Sequence, residues 1–237
     1  VSLDGDVLSV GSRTYDLSGS SEVVVLGAGK GAATLAAALE RVLGDRIDRG
    51  IVVDKHGGGR EIERIDVVEA GHPIPDEDGL VAANRIEALA RSLGPDDLAI
   101  ACITGGGSAL RPAPSGESEL DALQDVTDAL RSAGAPIEDV NAVRKHCSRL
   151  KGGRLAARCH PATTVTLVIV DEVAGEPWGP TVPDETTYED AVAALERHGL
   201  VDEAPAAVLA HLERGRAGEV EETPDRSRFE DLEAESV

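Results

Sequence analysis

Five short runs dominated by apolar residues punctuate the chain. They are VVVL at 23–26, GIVVD at 50–54, IDVVEA at 65–70, DDLAIACIT at 96–104 and TTVTLVIVD at 163–171. Each is short, rich in β-branched residues and bounded by glycine, proline or charge, which predicts buried strands. Between them apolar positions recur at helical spacing. Helices are predicted over about 31–43, 76–93, 117–132, 137–150, 188–198 and 205–214. Continuous rather than alternating strands, interleaved with helices, predict a mostly parallel sheet covered on both faces. The fold class is therefore α/β, a Rossmann-like three-layer sandwich. The first residues alternate instead: DVLSVGSRTYDL at 6–17 predicts a small hairpin around Gly11-Ser12.

Three segments follow: an N-terminal hairpin at 1–17, an α/β domain at 18–216 and an acidic tail at 217–237. The tail holds eight acids, two bases and one aromatic residue, a composition that predicts disorder. Overall, 237 residues suit one domain with a real core. Aromatics make up only 2%, so the core must rest on Ala, Val, Leu and Ile.

Charge changes the picture. The formal net charge is −21, and only four lysines accompany nineteen arginines. Acidic surface, scarce lysine and scarce aromatics together fit adaptation to multimolar salt, as in haloarchaeal proteins. So negative a chain is a poor general partner for nucleic acid or an anionic membrane. Cys102, Cys147 and Cys159 lack metal-ligand spacing and read as reduced, buried thiols of a cytoplasmic protein. No apolar run is long enough to span a bilayer, and no signal peptide precedes the first strand. The chain contains no Met, so either a GTG start is written as Val1 or the sequence is a fragment.

Against that background one block is the reverse. VRKHCSRLKGGR, 143–154, holds Arg144, Lys145, Arg149, Lys151 and Arg154, and no acid occurs from Val140 to Val170. On one continuous helix Arg144 and Lys151 would share a face, with Lys145 and Arg149 on the next. Gly152-Gly153 would end that helix. Several fixed cations suit a polyphosphate and its transferring phosphoryl group.

Ligands of open α/β sheets bind beyond the carboxyl ends of the strands. GAGKGA at 27–32 follows the first buried strand and satisfies G-x-G-x-x-A, with Asp54 closing the next strand. That pattern would place Asp54 on a dinucleotide ribose, although the Lys30 side chain would crowd the pyrophosphate. Lys30 at a helix start could instead meet a phosphate or carboxylate. ITGGGSAL at 103–110 follows the fourth strand. Gly105, Gly106 and Gly107 allow close approach of backbone amides to an anion, and Ser108 adds a hydroxyl. In GHPIPDEDGL, Asp76 is a helix cap and His72 a substrate-contact candidate. An acid is needed for Mg²⁺ or for a hydroxyl proton. Asp171, at the end of the fifth strand, is best placed, and Asp184 is second.

Taken in order, GAGKGA, KHGGG, EAGHPIPDEDGL, ITGGGSAL, NAVRKHCSRLKGGRLA and GPTVPDETT resemble the N-terminal domain of glycerate 2-kinases. These enzymes carry a C-terminal MOFRL domain and are often named hydroxypyruvate reductases. The resemblance runs over about 5–222. It implies ATP-dependent phosphoryl transfer to glycerate with a divalent cation, giving 2-phosphoglycerate, in a cleft between two domains. By matched position it implies that Lys30, the Gly105–Ser108 loop, Arg144, Lys145 and Lys151 line the cleft. Lys30, Arg144 and Asp171 would serve catalysis, and Asp171 and Asp184 the metal. ATP and Mg²⁺ are the implied cofactors. Glycerate, nucleotide and a C-terminal MOFRL-type domain are the implied partners. Locally the chain departs from the family: Thr104 stands for Ser, Arg111 for an apolar residue and Ala142 for Thr, and VDEVAGEPWGPT at 170–181 is shorter. Two other readings remain open. One is an NAD(P)-dependent hydroxypyruvate reductase. The other is a non-catalytic nucleotide-binding half of a split enzyme.

Overall fold

The computed structural model describes residues 1–169, 179–232 and 234–236. The chain opens with β1 (Ser2–Asp4), β2 (Val7–Val10) and β3 (Arg13–Asp16). These form a three-stranded antiparallel meander, one strand more than the expected hairpin. Leu3 lies opposite Leu8, which gives β1 a register partner that its short sequence does not advertise. Leu8, Val10 and Leu17 pack into the core of the main sheet, so the meander is a lid on that sheet.

The α/β body runs β4 (Val23–Ala28), α1 (Ala32–Leu43), β5 (Arg49–Lys55), β6 (Asp66–Ala70), α2 (Glu77–Arg91) and β7 (Leu98–Thr104). It continues through α3 (Gly107–Leu110), α4 (Leu120–Ser132), α5 (Ile137–His146), α6 (Arg154–Cys159) and β8 (Thr163–Ile169). Farther along the chain come α7 (Tyr188–Arg197), α8 (Ala206–Arg216), α9 (Arg226–Phe229) and β9 (Ala234–Ser236). The main sheet has the order β6-β5-β4-β7-β8-β9, with every pair parallel.

Along β4 successive side chains point to opposite faces. Val24 and Leu26 join α2, α3 and α6 in one core, while Val23 and Val25 join α1 and the meander in the other. A third core, built by Leu123, Val126, Val143, Val192, Leu195 and Leu212 among others, fuses α4, α5, α7 and α8 into a helical lobe. Local capping agrees with the sequence. Asp76 accepts from the Gly79 amide at the start of α2, a contact worth about 1 kcal/mol in general. Thr187 and Asp190 form a capping box on α7.

Two expectations are corrected. Residues 217–232 and 234–236 do not read as a disordered tail: α9 and β9 lie there, Thr223, Pro224 and Leu232 are buried, and β9 pairs with β8. Composition registers the acids, which stay largely at the surface, and misses the few anchors that dock the segment. The helix expected over 137–150 ends at His146, with Cys147 as its cap. The next residues turn back instead, with the Ser115 amide donating to the Cys147 carbonyl and the Arg149 amide to the Ala113 carbonyl. The three cysteines are free and buried, as expected. No helix among the described residues is long and apolar enough to cross a membrane.

The order of strands decides where a site can form. From β4 the chain moves outward to β5 and β6, then returns to the other side of β4 with β7. The carboxyl ends of β4 and β7 are neighbours, with Ala28 opposite Ile103. The loops GAGK and TGGGS therefore leave the sheet side by side, at the point where connections part to opposite sides.

Candidate active site

The two loops are locked together by backbone. The Lys30 amide donates to the Gly105 carbonyl at 2.7 Å. A Cβ on Gly107 would lie 2.7 Å from the Ala28 carbonyl oxygen. Gly106 has φ +86° and caps α3, a conformation that costs glycine little. A Cβ there would stand 2.8 Å from both His72 Nε2 and Lys30 Cγ, so His72 and Lys30 flank the loop. Burial lowers the His72 pKa, and the charges of Lys30 and Lys55 lower it further. The imidazole is therefore neutral at neutral pH.

On the other side of this loop lies a cleft of about 200 Å³ between the carboxyl ends of the central strands and the helical lobe. Four basic side chains line it, Arg111, Arg144, Lys145 and Lys151, and no acid among the described residues does. Ser108 is the crossing point. Arg144 Nη2 donates to Ser108 Oγ at 2.5 Å, and Lys151 Nζ donates to the Ser108 carbonyl at 3.2 Å. Arg144 and Lys151 thus converge, though not as one helical face. Arg144 sits in the last turn of α5 and Lys151 on the turn beyond it. Gly152 and Gly153, both with positive φ, bring the chain back into α6. Ser108, Arg144 and Lys151 also border an adjoining hollow of about 260 Å³, whose walls include Pro73, Ile74, Leu120 and Leu123.

Among the described residues, the electrostatics are those of a site short of negative charge. Burial lowers the Arg144 pKa, and Arg131 adds to the effect. Lys151 keeps some accessible area, but its ammonium lies deep, and burial sets it well below the usual lysine range. The charges of Arg144 and Arg111 push it further down. An anion entering here would relieve that repulsion.

Lys145 differs because it has its own counter-ion. Its Nζ donates to Asp184 Oδ1 at 2.7 Å. The Thr186 amide and hydroxyl donate to the same oxygen. Burial raises the Asp184 pKa, but the bonds from Lys145 and Thr186 outweigh it, leaving the carboxyl below its ordinary range. Asp184 Oδ2 is buried without a partner among the described residues, and a Cβ on Gly152 would lie 2.8 Å from it. Asp184 is therefore walled behind Gly152 and does not line the cleft. As placed it is the counter-ion of Lys145, and it does not fit a magnesium ligand. Asp171 lies outside the described residues. The described His/Asp group with metal-ligand spacing is His56, Asp76 and Asp78, remote in role because Asp76 already caps α2.

Lys30 lies beyond the glycine loop, at the rim and exposed, and is not among the cleft's lining residues. The dinucleotide reading of GAGKGA is corrected. Asp54 is buried, and its Oδ2 accepts from the Ala33 amide at 3.1 Å. The amides of Lys30, Gly31 and Ala32 also bond within the protein. A carboxylate of the protein itself thus occupies the start of α1, where a pyrophosphate would sit. A Cβ on Gly27 would lie 2.0 Å from the Cys102 carbonyl, so that glycine serves strand packing. Sequence reasoning missed Arg111 as a site residue and Asn141 as a wall. Arg111 was visible as the one cation of the acid-free segment 98–116.

A family of domains described as a domain of unknown function, DUF4147, matches residues 2–213. The chain belongs to the glycerate 2-kinase family, in its DUF4147 domain. A protein named glycerate 2-kinase from Pyrococcus horikoshii is 39% identical over 227 residues, covering 94% of this chain and 50% of the relative. A protein named putative hydroxypyruvate reductase from Agrobacterium vitis is 44% identical over 203 residues, covering 83% of this chain and 46% of the relative. The crystal structure of a Pyrococcus horikoshii OT3 protein superposes with a TM-score of 0.89 at 38% identity, covering 94% of this chain and 51% of that one. The chain spans about half the length of the curated relatives it matches.

Proposed function

We propose that this chain supplies the anion-binding half of an ATP-dependent glycerate 2-kinase, transferring a phosphoryl group to glycerate to give 2-phosphoglycerate. The observation that carries the reading is the crossing at Ser108. Two basic side chains meet there beside a glycine loop, in a cleft that no described acid lines. In phosphoryl transfer little covalent chemistry falls to the protein, and positioning with charge neutralisation does most of the work. Arg144 and Lys151 would hold phosphoryl oxygens as charge moves toward the leaving group. Lys145, fixed from behind by Asp184, would hold a second oxygen. The Gly105–Ser108 backbone would keep the phosphate close to the strand ends. Lys30, at the rim, would meet the outgoing or incoming anion from the opposite side of the loop. A divalent cation carried by the nucleotide would shield phosphate charge, and Asp171 stays its candidate ligand.

The occupied amides at the start of α1 speak against the reductase reading. The deciding experiment is ATP-dependent phosphorylation of D-glycerate by the purified chain, in molar KCl with Mg²⁺. Product would mean that this half holds a sufficient site. Activity that emerges only when the remaining half of a relative is added in trans would assign it to a two-part enzyme. NADH oxidation with hydroxypyruvate, without kinase activity, would overturn the proposal. Replacing Lys30 with Ala in a full-length relative and finding normal turnover would remove that residue from the site.

A further inference from the structure

Arg111 follows α3 directly, and its amide donates to the Gly107 carbonyl at 3.1 Å. Its side chain lines the cleft yet is only 3% exposed. Both Nε and Nη1 are buried without a hydrogen-bond partner among the described residues. The neighbouring group that could carry the opposite sign is the Cys159 thiol, which burial pushes up to about 12 and so keeps neutral. Burial lowers the guanidinium only to about 10, so it stays charged at neutral pH. Thr104 Oγ1, on the same cleft wall, is also buried without a partner among the described residues.

The contrast with the other basic hollow is direct. A pocket of similar volume near the C-terminal segment is lined by Arg149, Arg154, Arg158 and Arg228. There Arg149 and Arg158 reach Glu87, Arg228 reaches Glu221, and Arg154 donates to Tyr188 Oη and to backbone carbonyls. Of the two buried arginines among the described residues, Arg154 is answered and Arg111 is not. A desolvated cation with unused donors destabilises the fold unless an anion completes it.

We infer that Arg111 binds an oxyanion of the ligand on the cleft floor, forming an anion subsite separate from the Ser108 crossing. The group it takes is a carboxylate or phosphoryl oxygen. A ligand with two anionic groups, one at each subsite, is the class this cleft accepts. The inference rests on the kinase reading only for naming glycerate and ATP as probes.

The test is calorimetric titration of the chain with inorganic phosphate, D-glycerate or ATP at fixed ionic strength, comparing wild type with Arg111→Met and Arg111→Lys. Arg111→Met should fold with an equal or higher Tm, because it removes an unpaired buried charge. Its affinity for the ligand whose group Arg111 holds should fall at least about tenfold. Arg111→Lys keeps the charge without the planar fork and should recover part of that loss. A loss confined to D-glycerate identifies a carboxylate. A loss confined to inorganic phosphate and ATP identifies a phosphoryl group. Should Arg111→Met fail to fold, weaker binding by Arg111→Lys would still support the subsite. Glycerate and ATP bound equally by wild type and both variants would overturn the subsite and leave the kinase reading intact. Phosphate bound by wild type alone, with neither glycerate nor ATP bound, would uphold the subsite and refute the kinase reading.

Discussion

Lys145 and Asp184 meet behind the cleft wall, Nζ to Oδ1 at 2.7 Å, with Asp184 wholly enclosed and Lys145 one-third exposed. One had suggested phosphate binding and the other metal binding. Their geometry makes them partners, so the lysine is held rigid at the cleft while its counter-charge is hidden. Replacing Lys145 with Met strands a buried carboxylate. Unfolding free energy in urea should fall by about 3 kcal/mol, the lower end for a broken buried pair because Lys145 touches solvent. The double variant Lys145→Met, Asp184→Leu should regain most of that loss. Equal losses in single and double variants would show that the pair is not coupled.

Gly106 offers a second handle on the same loop. Its φ is +86°, and a Cβ would press on His72 Nε2 and Lys30 Cγ. Gly106→Ala should cost about 1–2 kcal/mol of stability. It should also weaken ATP binding through displacement of the loop. Binding unchanged at reduced stability would detach the glycine loop from the ligand.

Acid should loosen the helical lobe. His146 and His211 are buried beside Tyr188, and burial lowers the pKa of each. Their unfolded values are about 6.5. Below that pH the unfolded chain binds protons that the folded one refuses, so stability falls as pH drops. In molar KCl, Tm at pH 5.5 should be lower than at pH 7.5, and His211→Gln should flatten the slope. A Tm that holds or rises on acidification would contradict the assignment.

Salt should act oppositely to its usual weakening of surface pairs. With a net charge of −21, self-repulsion is the larger surface effect, and screening relieves it. Tm should climb from low to multimolar KCl. A flat or falling curve would count against adaptation to high salt.

Much of this architecture could be read from the chain because it depends on local pattern. Val23–Ala28 and Leu98–Thr104 are uninterrupted apolar runs, and such runs are buried on both faces wherever they lie. The GGGS loop announced itself by residue type. What escaped depends on partners distant in sequence. No window around Lys145 reveals that Asp184, 39 residues on, will neutralise it. The break after His146 is invisible to helical spacing because it is set by pairing with residues 113–115. The docking of 217–232 rests on Phe229 against Gly153 and on the Arg154 bond to the Glu221 carbonyl, which composition averages away.

The basic lining of the cleft has a consequence for how a ligand is captured. At 1 M salt an exposed charge is shielded over about 3 Å. The chain's acidic exterior then neither repels nor guides an approaching anion. Enclosed cations such as Lys151 and Arg111 are reached by few counter-ions, so their pull survives at contact. Recognition in concentrated brine is thus a matter of touch, with arrival left to diffusion. The encounter rate should vary little with salt while residence time carries the selectivity.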